Sequence, residues 1–120
     1  MSTHIETLFN VGWMYAQGLN VSQDEKEAVR WYRLAANRGN VLAQFNLGWM
    51  YANGRGVSQD AAEAEKWYRL AADQGNVLAQ YKIRNSVLSR KKVAIFHHLI
   101  DRFNHFIDRP VRLNSSVEGA

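Results

Sequence analysis

Two tryptophans, Trp13 and Trp49, stand in matching settings 36 residues apart, each flanked by side-chain amides: Asn10 and Gln17 around the first, Asn46 and Asn53 around the second. On a helix the spacing i, i+3, i+7 brings each trio onto one face. An indole offers a large contact area for few rotatable bonds, and amides can meet the backbone groups of a peptide, so this is the chemistry of recognition. Each Trp also lies about 200° around its helix from the apolar residue two positions earlier, Val11 or Leu47, and therefore off the packing stripe. The competing outcome is that both indoles pack into neighbouring hairpins or the C-terminal segment.

Catalytic and metal chemistry finds little material. There is no cysteine, which removes disulfides, thiolate ligands and cysteine nucleophiles. His98, Asp101 and His105 share a face at i, i+3 and i+7, with His97 beside them, yet three such ligands without a thiolate or a second cluster read as a solvated helix face. Gly54-Arg55-Gly56 reads as a connector between helices, not a phosphate cradle, since no strand precedes it. Carboxylates such as Glu63 and Glu65 are capping or exposed, and no Ser, His and Asp fall in a plausible triad. The expectation is a protein that is not an enzyme, with no cofactor and no metal.

The elements that must position these residues are given by an internal repeat. Phe9–Gln44 and Phe45–Gln80 are identical at 26 of 36 positions. A period of this size signals a solenoid, whose units bury their apolar faces only against one another. Each unit reads as a helical hairpin. The second helix of each starts after Asp24 or Asp60, with Glu27 or Glu63 three residues on to complete a capping box, and ends before Gly39 or Gly75. The first helices start at Asn40 and Asn76 as N-caps and end at Gly18 and Gly54, while Thr3 and Glu6 offer a capping box at the front of the chain. In the second helix, Ala28, Trp31, Tyr32, Ala35 and Ala36 form one apolar stripe at helical spacing. The expected core is Tyr15, Ala28, Trp31, Tyr32, Ala35, Leu47, Gly48, Tyr51, Ala64, Trp67, Tyr68 and Ala71, with small residues admitting close backbone approach and aromatic rings filling the space between.

The frame Leu47-Gly48-x-Met50-Tyr51-x-x-Gly54-x-Gly56-Val57-x-Gln59-Asp60, followed by Glu63-Ala64-x-x-Trp67-Tyr68-x-x-Ala71-Ala72-x-x-Gly75, resembles the Sel-one-like repeat (SLR) family, relatives of the tetratricopeptide repeats. The resemblance covers roughly residues 5–83. It implies an all-α fold, a right-handed α-α superhelix of stacked hairpins whose first helices line a concave face, and a scaffold or adaptor that binds a protein or peptide there. Two positions depart from the pattern: Asn20 stands where the second unit has Gly56, and a third unit begins at Asn76 but loses the frame, with Arg84, Val87 and Arg90 in the places of Gly48, Tyr51 and Gly54.

The expected organisation is repeats over 1–83, a basic amphipathic C-terminal helix or cap over 84–110, and a frayed tail over 111–120. Residues 1–81 carry seven Lys/Arg against eight Asp/Glu, whereas 82–120 carry eight against three, so the whole basic excess lies in the C-terminal third. There, Leu88, Ile95, Phe96, Leu99, Ile100, Phe103, Phe106 and Ile107 form one apolar stripe, which Pro110 should stop. A cap on the second hairpin is the first reading of this helix. A partner-binding or self-associating helix, giving a homodimer, is the second, and contact with an anionic membrane or nucleic acid, disfavoured, the third. An enzyme-accessory or hydrolase-like role of the kind implied for some SLR-like proteins would need a nucleophile with an activating base. No signal peptide is encoded, so a cytoplasmic location is expected as the chain stands, although exported relatives are implied.

Overall fold

The computed structural model describes the backbone of residues 4–119 and the side chains of residues 4–106. The described residues form five helices and no strand: α1 (His4–Gln17), α2 (Glu25–Asn37), α3 (Val41–Asn53), α4 (Ala61–Asp73) and α5 (Val77–Gly119). The all-α class read from the repeat is the class observed. By compactness the chain divides into Met1–Arg84 and Asn85–Ala120.

In the first unit the helix boundaries follow local chemistry. Asp24 and Asp60 adopt extended backbone and accept hydrogen bonds from the amides of Glu27 and Glu63, at 3.1 and 3.0 Å. The reciprocal half of the expected capping box is not made. The Asp24 and Asp60 amides donate instead to the carbonyls of Tyr15 and Tyr51, at 3.0 and 2.9 Å, where they close the loop inside each hairpin. Glu27 and Glu63, released from that task, pair with Arg30 and Lys66 one turn on. Gln23 and Gln59 complete the loop by donating to Ala16 and Ala52. At the far end of α2, Asn40 N donates to Ala35 O and Gly39 N to Ala36 O, a Schellman closure repeated at Asn76 and Gly75. Asn40 at once caps α3 through its side chain, at 2.8 Å from Ala43 N. The expected cap at Thr3 lies outside the described residues.

Packing follows from small residues set against rings. Gly12 and Gly48 lie so close to Tyr32 and Tyr68 that an added Cβ would stand 2.7 and 2.9 Å from ring carbons, so α1 seats on α2, and α3 on α4, only where the side chain is absent. One core cluster joins both hairpins and includes Leu8, Ala28, Tyr32, Ala35, Leu47, Met50 and Trp67. A smaller one gathers Ala64, Tyr68, Ala71 and Ala79.

Between hairpins the decisive position is Gly56. Its φ is +73°, and a Cβ there would lie 2.4 Å from the Glu25 carbonyl oxygen and 3.0 Å from Val29. Asn20, at the equivalent place, has φ 64° and is exposed, so the first hairpin needs only a residue that tolerates left-handed backbone.

Helix α5 continues past Pro110 to Gly119, so the stop expected at Pro110 is not observed.

Candidate binding groove

Of the six residues expected to bind a partner, four line one groove. Trp13 and Gln17 of α1 face Asn46 and Trp49 of α3, with Ala16 and Met50 beside them and Tyr32 of α2 between, around a volume of about 270 Å³. None of the seven lining residues carries a charge. Trp13 is 43% exposed and Trp49 39%, both unusually open for indoles in so small a unit.

The floor is fixed by Tyr32, which is buried and hydrogen-bonds to the Asn46 side chain. Burial pushes the Tyr32 hydroxyl above the ordinary tyrosine range, and the bond to Asn46 acts in the opposite direction. The Asn46 amide is thus engaged with the floor, though expected to point outward. One rim is built by Arg55, whose guanidinium lies over the Trp49 ring at 5.8 Å and donates to both Glu25 carboxylate oxygens at 2.6 and 2.8 Å. That hydrogen bond and the opposite charge lower the pKa of Glu25. Beside it, Arg33 donates to the Tyr51 hydroxyl at 2.6 Å.

The other two candidates are not lining residues. Asn53 donates to the carbonyl of Trp49 at 2.9 Å, within its own helix, and Asn10 is exposed on α1. Helical spacing puts each trio on one face of its helix, but the groove forms only where the two hairpins face each other.

Among the residues read as core, Ala28, Tyr32, Ala35, Leu47, Gly48, Ala64, Trp67, Tyr68 and Ala71 are buried. Tyr15, Trp31 and Tyr51 are half-buried and pack against the larger cluster. Met50 is buried as its place on the apolar stripe of α3 requires, while Val29 and the buried Gln44 lie outside the residues read as core. Gln44 donates to Ala36 O at 3.2 Å and accepts from Gln74, which also donates to Gly39 O. In the C-terminal unit, His98, Asp101 and His105 border a shallow surface with Arg102 and Phe106. Among the described residues no group of three His, Cys, Asp or Glu is placed to hold a metal, and no helix is long and apolar enough to cross a membrane.

Stacked hairpins built on repeated Gly-Tyr contacts, with loops closed by a recurring Gln-Asp pair, define an α-helical repeat protein. The family model for the Sel1 repeat matches residues 5–40 and 41–76, and the chain belongs to that family. Among solved structures it is similar to a Sel1 repeat protein from Oxalobacter formigenes, with 40% identity and a TM-score of 0.66 over 67% of this chain and 33% of that one. It is also similar to a protective antigen present in uropathogenic Escherichia coli strains and displaying an SLR fold, with 34% identity and a TM-score of 0.66 over 67% of this chain and 17% of that one. Helicobacter pylori cysteine-rich protein B shares the fold, at 24% identity and a TM-score of 0.61 over 62% of this chain and 56% of that one. The chain therefore spans a third or less of the first two relatives and just over half of the third. No curated protein matches it. Sel1 repeats commonly serve as protein-interaction scaffolds and are generally non-catalytic.

Proposed function

We propose that this chain is a non-catalytic adaptor whose groove between α1 and α3 binds an extended segment of a protein partner. One observation supports this reading above the others. Two exposed indoles at equivalent repeat positions wall an uncharged groove floored by a tyrosine and edged by Gln17 and Asn46. Indoles left partly open forgo burial that a core position would give them, and aromatic anchors beside amides are the side chains on which binding energy concentrates. With no lining charge, the groove suits an apolar side chain whose flanking peptide groups meet the amides.

Affinity capture from native lysate, comparing the wild type with a Trp13→Ala/Trp49→Ala double variant, tests the proposal. The expected result is loss of the captured partner while the melting temperature falls by only a few degrees. If the double variant melts many degrees lower yet captures the same protein, the indoles are structural and the groove is not the binding surface.

A further inference from the structure

The C-terminal unit carries an exposed apolar stripe of its own. Ile95, Phe96, Leu99, Ile100, Phe103 and Phe106 are each between 39% and 64% exposed. Together with Leu88 and Val93 they span an arc of about 160° on α5, over roughly 28 Å of helix. Lys91 and Arg102 lie along one border of that arc, Lys92 falls inside it near its start, and Asp101 lies on the opposite face. Residues 85–106 hold four Lys/Arg and this one acid.

We infer that this stretch of α5 lies flat on an anionic lipid surface, with the phenylalanines, Leu99 and Ile100 at the acyl boundary and Lys91, Lys92 and Arg102 at the phosphates. The arc is wider than the narrow seam of a coiled coil, which uses about two positions in seven. Lys92 decides between a lipid surface and a second copy of the chain. Within the arc its stem can lie along the acyl boundary while the ammonium reaches up to a phosphate, whereas between two packed helices the same charge would be buried. A nucleic acid would use the basic residues and leave three phenylalanines in water. Since no described helix can span a bilayer, the surface is the fitting mode of contact.

The test is flotation of the full chain with vesicles of phosphatidylcholine and phosphatidylserine at 3:1, against phosphatidylcholine alone, at 50 and 500 mM NaCl. Binding to the mixed vesicles alone, and at low salt, is expected. Replacing Lys91, Lys92 and Arg102 together by Gln should lower the partition coefficient roughly 100-fold, and Phe96→Ser/Phe103→Ser should abolish binding. All four tryptophans lie before residue 85, so their fluorescence-monitored melt reports the repeats and should be unchanged in both variants. Equal binding to neutral and anionic vesicles would overturn the inference. So would no vesicle binding together with a dimer, seen by sedimentation velocity, that the Phe variant dissociates, or with a DNA complex that the Gln variant loses.

Discussion

The two hairpins are near copies, yet their outward faces are not equivalent. Ten positions differ between the repeats, and five of them meet where the second hairpin stacks on the first. Glu25 and Val29 of the first receive Arg55 and Gly56 of the second, while Gln74 reaches the Gly39 carbonyl. The corresponding residues elsewhere, Leu19 and Asn20 in the first loop and Ala61 and Glu65 on α4, could not form that set. Tyr32 finds Asn46, but Lys82 stands 36 residues on from Asn46, and the buried Tyr68 hydroxyl has no partner among the described residues. Shared residues therefore build each hairpin, and the unshared ones key a single interface. The groove lies at that interface.

The largest test of this contrast uses the tryptophans of α2 and α4. Trp67 is buried in the cluster that joins the hairpins, so Trp67→Ala should cost about 3–5 kcal/mol in urea unfolding. Trp31, half-buried, should cost about 2 kcal/mol. Equal costs would mean that the inter-hairpin core holds no special share of the stability. Next, Gly56→Ala should destabilise by about 3 kcal/mol, since it combines left-handed backbone with a collision against the Glu25 carbonyl. Asn20→Gly, at the equivalent position, should change stability by less than about 0.5 kcal/mol.

A sharper comparison has opposite signs. Tyr32→Phe should cost about 1 kcal/mol by removing the bond to Asn46, whereas Tyr68→Phe should gain about 1 kcal/mol by removing a buried hydroxyl that has no partner among the described residues. Both hydroxyls have pKa values raised by burial above the ordinary 10.0. Their contribution is complete below that pH and is lost as pH rises through the folded-state value. Thermal melts at pH 8 to 11 should show the melting temperature falling above about pH 10, less steeply in either Phe variant. The smallest effect belongs to Arg55 and Glu25, which are part-exposed: Arg55→Ala should cost little and in a salt-dependent way, with the loss fading by 0.5 M NaCl.

The hairpins were readable from sequence because each is specified within 36 residues, and each specification occurs twice. Asp24, Gly39 and Asn40 mark helix ends wherever they stand, and Ala28, Tyr32 and Ala35 keep helical period. Contacts between repeats left a fainter trace. Arg55 with Glu25 and Gly56 with Val29 are 30 and 27 residues apart, beyond the reach of helical periodicity within one repeat. Asn46 was aligned with Trp49 by periodicity, but its bond to Tyr32 needs the stacked neighbour to be seen. The stop assigned to Pro110 is not seen, and α5 runs on to Gly119.

The claim that the groove at the keyed interface is the binding surface can be tested on the four indole N–H resonances. With uniformly ¹⁵N-labelled protein titrated with a peptide selected on it from a random phage-displayed library, the indole signals of Trp13 and Trp49 should shift while those of the buried Trp31 and Trp67 Nε1 groups stay in place. Saturable binding that leaves Trp13 and Trp49 unmoved would contradict it.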